Sequence, residues 1–75
     1  MYTWEVIVEE HWDYYGADEW EQKEYTVTSA TFEAALKKAL QINRVGKIVK
    51  NELSGVYKLL ALRPVSVVRG RLLSA

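Results

Sequence analysis

Few side chains in this sequence could carry out acid-base or nucleophilic chemistry. His11 is the only histidine, and Asp13, two residues later, could orient its imidazole from the same strand face. None of the serines stands in the elbow sequence that exposes a hydrolase nucleophile. The absence of Cys excludes thiolate nucleophiles, disulfides and the common structural zinc sites. We therefore expect a protein that is not an enzyme, in which His11 is a locally hydrogen-bonded residue at a strand end.

Sites for metal ions and nucleotides are not indicated either. His11, Asp13, Asp18 and Glu19 could form an oxygen-rich metal site, but they lack EF-hand spacing and a second histidine. The four glycines are too far apart for any two to form the phosphate-binding loop of a Walker or Rossmann motif. We expect no catalytic residue, no metal ligand and no cofactor.

The acidic and aromatic segment from Trp12 to Trp20 is the strongest candidate for a functional site. Tyr and Trp are enriched at binding hot spots, and one helix cannot readily bury three Trp and five Tyr in a domain of this size. We expect part of the segment to be exposed and to bind a protein with a basic surface. The alternative is that Trp12 and Trp20 form a cross-strand pair that closes a hairpin. The predicted protein-binding residues are Trp12, Asp13, Tyr14, Tyr15, Asp18, Glu19 and Trp20.

Charge is divided along the chain, although its net value is zero. Residues 1–33 contain nine acids and one base, a formal charge of −8, and residues 34–75 contain nine bases and one acid, a formal charge of +8. The basic half could bind nucleic acid. Alternatively, the two halves pair across strands, or the acidic hairpin of one copy meets the basic strands of another. The candidate nucleic-acid-binding residues are Lys37, Lys38, Arg44, Arg69 and Arg71.

The elements that must position these residues follow from hydrophobic periodicity. Alternation with a period of two predicts strands over residues 2–10 and 20–28, joined around Gly16, so that residues 1–28 form an acidic aromatic hairpin. Residues 29–44 are predicted to be an amphipathic helix capped by Ser29 or Thr31. Its apolar stripe consists of Phe32, Ala35, Leu36, Ala39 and Leu40.

The remaining residues suggest basic strands over 45–68 and a tail over 69–75 whose leucines could dock on the core. Residues 49–60 would also suit a helix, but Gly55 inside such a helix would cost about 1 kcal/mol relative to Ala. Val65–Val68 is expected to be a fifth short strand or an extension of the fourth.

The whole chain is therefore expected to be one small domain of the α+β class. The predicted architecture is ββαββ, an antiparallel sheet with one amphipathic helix on one face, and the other face is polar, covered by the tail or used as a contact surface. The first residues lack a signal-peptide pattern, and no apolar run reaches the length of a membrane helix. We expect a cytoplasmic protein, with no membrane partner.

Residues 20–40, a strand followed by a helix beginning Ser29-Ala30-Thr31-Phe32-Glu33, resemble many small proteins of bacteriophages and the β-sheet antitoxins of the HicB kind. HicB-like domains have a third strand before the helix, which the pattern here lacks, and no residue role is transferred. The resemblance implies a phage-type inhibitor or adaptor, acting in the host cytoplasm. Nucleic-acid binding and self-association remain the alternatives.

Overall fold

Within residues 1–14, 17–52 and 55–73, which the computed structural model describes, four strands form one antiparallel sheet and one helix packs against it. The side chains at positions 17, 18 and 51 are outside this description. In chain order the elements are β1 (Tyr2–Tyr14), β2 (Ala17–Ser29), α1 (Phe32–Leu40), β3 (Ile48–Asn51) and β4 (Gly55–Leu72). The predicted α+β class and ββαββ order are confirmed.

The hairpin of β1 and β2 is longer than the sequence pattern predicted. Each strand has 13 residues, and the two pair without a break in register from Tyr2 to Tyr14. The predicted loop over residues 11–19 was therefore wrong at both ends. The alternation simply continues through Trp12, because aromatic side chains fit a pleated, half-buried surface. Gly16, the predicted turn residue, lies outside the described residues.

The helix is shorter than the predicted 29–44. Thr31 is the N-cap, because its hydroxyl accepts a hydrogen bond from a backbone N–H of the first turn at 3.2 Å. Ser29, the other predicted cap, ends β2 instead, and its buried hydroxyl donates to the Thr31 carbonyl at 3.0 Å. The chain leaves the helix after Leu40 and turns through Gly46, whose φ of 94° glycine adopts without strain.

Residues 55–72 form a single long strand. The helical alternative for residues 49–60 is excluded, and the predicted fifth strand and the start of the predicted tail both belong to β4. The register of the described part of β4 against β1 shifts at three places, and Pro64 lies beside one of them. Leu72, one of the tail leucines that could dock on the core, is 63% exposed.

The order of strands in the sheet is β2-β1-β4-β3. Acidic β2 therefore forms one edge, and the basic strands β4 and β3 lie on the other side of β1. Arg63 of β4 forms an ion pair with Glu9 of β1, and Lys58 lies opposite Asp13 in the same pair of strands. Part of the charge division is thus compensated across strands, while β2 and β3 remain far apart.

The apolar core lies at one end of the sheet. Trp4, Val6 and Val8 of β1 pack against Ala35 and Ala39 of α1, and none of these residues is more than 7% exposed. The two alanines let the helix approach the sheet closely. Nine helical residues span about 14 Å, whereas 13 strand residues span about 43 Å. The helix therefore covers about a third of the sheet's length, and the rest of that face must be built differently.

Candidate functional site

The structure divides the predicted protein-binding residues between the two faces of the sheet. We call the face that carries α1 the helix side and the opposite face the open face. Trp12 and Tyr14 belong to the helix side, where both line a cleft. Alternation places His11 and Asp13 on the open face, and Trp20 stacks on His11 there. The predicted single site is thus two regions on opposite surfaces.

Trp12 departs most from the prediction. Its side chain is only 5% exposed, so it is not an accessible contact at the hairpin tip. In the register of β1 with β2, Trp12 lies opposite Glu19 and Trp20 lies opposite His11, which excludes the alternative of a Trp12–Trp20 pair. Glu19 is exposed on β2. The side chains of Tyr15 and Asp18 are outside the described part of the structure.

Beyond the end of α1, the helix side opens into a cavity of about 480 Å³, which we call the hairpin cleft. The hairpin strands β1 and β2 contribute most of its lining residues. The segment after the helix, β3 and β4 contribute the rest. Its volume lies within the range of small-ligand sites. The lining residues are Glu10, Trp12, Tyr14, Glu21, Lys23, Tyr25, Asn43, Lys47, Val49 and Tyr57.

Glu10 is a buried carboxylate, 0% exposed, at the base of the cleft. Its Oε1 accepts a hydrogen bond from Trp12 Nε1 at 3.1 Å, and its Oε2 accepts from Tyr25 Oη at 2.7 Å and Asn43 Nδ2 at 2.8 Å. Lys47 Nζ donates to Asn43 Oδ1 at 2.7 Å, which links its charge to Glu10 through the amide. A buried charge is tolerated when it accepts several hydrogen bonds, and these bonds fix the cleft's shape.

A second carboxylate, Glu21, is partly exposed to the cleft. Tyr14 Oη donates to its Oε1 at 2.7 Å, and Lys23 Nζ lies 3.4 Å from its Oε2. Burial, together with the hydrogen bond to Glu21, raises the pKa of Tyr14 to about 12. Burial and the hydrogen bond to Glu10 raise the pKa of Tyr25 to about 12 as well. Both phenols therefore remain protonated donors at neutral pH.

Aromatic rings form a further part of the cleft wall. The rings of Trp12 and Tyr57 are 5.8 Å apart between centroids with an interplanar angle of 86°, and those of Tyr14 and Tyr57 are 4.8 Å apart at 45°. Because the Tyr57 ring is inclined to both of the other rings, the three do not form a flat stack.

Trp20 dominates the open face at the corresponding end of the sheet. It is 47% exposed, and its ring stacks on His11 with centroids 4.6 Å apart and an interplanar angle of 8°. Arg63 Cζ lies 4.3 Å from the Trp20 centroid, a cation–π contact. Neighbours on two other strands therefore hold a large exposed ring in place.

The part of the open face formed by β1 and β2 is acidic. Among the described side chains, strand alternation puts four carboxylates there, and the only Lys or Arg of these two strands, Lys23, lines the cleft on the helix side. Arg63 reaches this surface from β4 to pair with Glu9. The four acidic residues are Glu5, Glu9, Asp13 and Glu24.

The residues predicted to bind nucleic acid lie on separate elements. Lys38 of α1 donates a hydrogen bond to the carbonyl of Thr28 on β2. Arg69 of β4 lies over the ring of Tyr2, with Cζ 4.8 Å from the centroid. Since β1 separates β2 from β4, these bases are spread over the molecule. The other three, all exposed, are Lys37, Arg44 and Arg71.

Sequence reasoning missed Glu10, Tyr25 and Asn43 as parts of a site. A signal was present at Glu10, because it continues the series of even-numbered residues in β1 that face the core. A carboxylate at such a position needs buried donors, which predicts a polar network below it. Asn43 gave no comparable signal, since its role depends on where the chain goes after the helix.

Among the described residues, no group of three or more His, Cys, Asp or Glu side chains could hold a metal ion. In the same part of the chain, no helix has the length and apolar character needed to cross a bilayer. Comparison with protein-family models, curated proteins and solved structures found no match to this chain.

Proposed function

We propose that this protein is a non-enzymatic interaction module that binds a second protein, with a basic surface, through the open face around Trp20. The observation that carries the proposal is the exposure of Trp20, 47%, on a sheet face against which no described element packs. Tryptophan is the residue most enriched at binding hot spots, because it buries a large area and loses little conformational entropy. A small inhibitor or adaptor of the phage type is the more specific form of this proposal.

The support around Trp20 favours binding. His11 stacks on the ring, and the Arg63 guanidinium contacts it, so the side chain is held before a partner arrives. Preorganisation of this kind lowers the entropy lost on association. The guanidinium contact supports the proposal, because a cation is the group that a basic partner would present to an aromatic ring.

The charge of the surrounding surface favours a basic partner. Of the described side chains of β1 and β2, four carboxylates and no Lys or Arg occupy the open face. Such a surface accelerates association with a basic protein and repels acidic ones, and the effect weakens as salt rises.

The two alternatives have less support. In the described part of the chain, β3 pairs with β4 over residues 55–58, so the later residues of β4 form a second sheet edge. Association of copies through strand edges is opposed there by Pro64 and three register shifts, and at the other edge by the charged side chains of β2. Nucleic-acid binding requires bases that converge on one surface, whereas Lys38 contacts β2 and Arg69 belongs to β4, on the other side of β1.

The test is capture of a partner from the source cell by immobilised protein, followed by measurement of affinity for the purified partner. Trp20→Ala should weaken binding by about thirtyfold or more, the size expected for a hot spot. Ile42→Ala is the matched control, because Ile42 is 46% exposed but follows α1. We expect the control to bind like the wild type.

Circular dichroism of both variants should match that of the wild type, because neither side chain belongs to the core. Higher salt should reduce the association rate, and Glu24→Lys should do the same at low salt. If Trp20→Ala bound as tightly as Ile42→Ala, the proposed surface would be wrong.

A further inference from the structure

We propose that the hairpin cleft binds an organic ammonium group, the charged head of an alkylamine, a quaternary amine or a lysine side chain. The cleft lies on the helix side, and the protein contact proposed above lies on the open face. The two proposals therefore rest on different residues and can fail separately.

The first argument is the aromatic wall of the cleft. The Trp12 and Tyr57 rings are inclined by 86°, and the Tyr14 and Tyr57 rings by 45°, with centroid distances of 5.8 and 4.8 Å. Ammonium groups are attracted to the faces of such rings, and inclined rings offer the group more than one contact. The cavity of about 480 Å³ beside them has room for an alkylammonium head and part of its chain.

The second argument is the placement of the carboxylates. The Glu21 side chain is 35% exposed, so a ligand can contact it directly. Glu10 is covered, and the groups that hold its carboxylate are the neutral donors of Trp12, Tyr25 and Asn43. Its charge therefore acts across a short distance in an environment of low dielectric constant. Burial is the main cause of the raised pKa of Tyr25, and the hydrogen bond to Glu10 and the charge of Glu10 add to it.

The two lysines of the cleft are already engaged. Lys47 donates to Asn43 Oδ1 at 2.7 Å, and Lys23 lies 3.4 Å from Glu21 Oε2. Lys23 thus places an ammonium group on the carboxylate that an external ligand would use. Ligand and Lys23 must compete, which predicts opposite effects for the removal of Glu21 and of Lys23.

The experiment is a titration followed by proton–nitrogen correlation spectra, in which the three indole N–H signals report on three regions. Trp12 donates to Glu10 at the cleft, Trp4 lies under α1, and Trp20 lies on the open face. We expect choline to shift the Trp12 signal with a Kd on the order of 1 mM and to leave the other two in place. The uncharged isostere, in which carbon replaces the nitrogen, should bind about tenfold or more weakly.

Three variants with matched charge changes sharpen the result. Glu21→Gln should weaken choline binding about three- to tenfold, and Lys23→Gln should strengthen it by a similar factor. Glu24→Gln, in the same strand but on the open face, should leave the affinity unchanged. Unshifted Trp4 signals in the free variants would establish that the fold is retained.

Several results would overturn the proposal: equal binding of the isostere, no shift of the Trp12 signal at about 20 mM ammonium ligand, or weaker binding after Lys23→Gln, which would indicate an anion site. Butylammonium and a blocked lysine peptide distinguish the source of the group. Tighter binding of the peptide supports a lysine of a protein, and equal or weaker binding supports a free amine.

Discussion

At one end of the helix side, Val6 and Val8 of β1 are sealed against α1. At the other end, Glu10 and Trp12 of the same strand lie under an open cleft. The two ends share one strand, one face and one alternating pattern. They differ in what covers them. The helix has only nine residues, from Phe32 to Leu40, and is too short to reach the second end.

The difference shows how the covering element selects the chemistry of a sheet face. An apolar helix stripe excludes water, and only apolar side chains are stable below it. The segment after the helix covers the other end with Asn43, an amide that needs polar partners of its own. A polar network is therefore the stable solution at that end, and the incomplete cover leaves a cavity.

The strongest test of this comparison is the removal of Glu10. Glu10→Ala would leave donors of Trp12, Tyr25 and Asn43 without their acceptor. We expect a loss of about 3 kcal/mol in the free energy of unfolding, because each orphaned buried donor costs about 1–3 kcal/mol and water entering the cleft restores part of it. Urea unfolding measured by circular dichroism checks this value.

Glu10→Gln is the control for shape. The amide keeps an acceptor for Trp12 but turns a donor toward two other donors, so a smaller loss of about 1–2 kcal/mol is expected. If both variants were as stable as the wild type, the hydrogen bonds of Glu10 would not contribute to stability. Only the apolar end of the helix side would then stabilise the fold.

The matching test at the apolar end is Val6→Ala. Val6 is 0% exposed in the core, and two lost methyl groups with the resulting cavity should cost about 2 kcal/mol. The Trp12 indole signal should shift little, because Val6 meets the cleft through Tyr25, which lies opposite it, and Trp12 is six residues further along β1. A displaced Trp12 signal would mean that the two ends act as one unit.

The apolar end was largely predictable from sequence, since it depends on local periodicity. Alternation in β1 and the spacing of Ala35 and Ala39 in the helix identify residues that meet. The spacing also predicted that Phe32 belongs to the buried stripe, but Phe32 is 48% exposed. Its ring meets that of Trp4 edge-on, with centroids 6.3 Å apart and an interplanar angle of 75°. A stripe of residues defines a direction on a helix, and it does not specify how far the sheet extends below it.

The cleft could not be predicted in the same way. It needs Glu10 to meet Asn43, 33 residues later, and Tyr57 to meet Trp12 through pairing of β1 with β4. Both contacts depend on the strand order, which places the fourth strand beside the first. The alternating pattern also does not show where the helix stops covering the face. It therefore did not distinguish the buried carboxylate of Glu10 from the exposed carboxylates.

The smallest expected effect concerns the tyrosines of the cleft. The Tyr25 hydroxyl must be protonated to donate to Glu10, and its pKa is raised to about 12 in the folded protein, against 10.0 for an ordinary tyrosine. Its contribution to stability is therefore complete below pH 10 and is lost as the pH rises from 10 to 12. Unfolding free energies measured across this interval should fall in the wild type.

Tyr25→Phe should cost about 1 kcal/mol at neutral pH, the usual contribution of one hydrogen bond, and should make the alkaline fall shallower. Tyr14→Phe should act in the same direction, because the pKa of Tyr14 is raised to about 12 beside Glu21. Val6→Ala, at the apolar end, should lower stability at every pH and leave the alkaline fall unchanged. If the unfolding free energy of both tyrosine variants fell as steeply with pH as that of the wild type, the alkaline transition would not originate in the cleft. The two ends of the sheet would then not differ in their pH dependence.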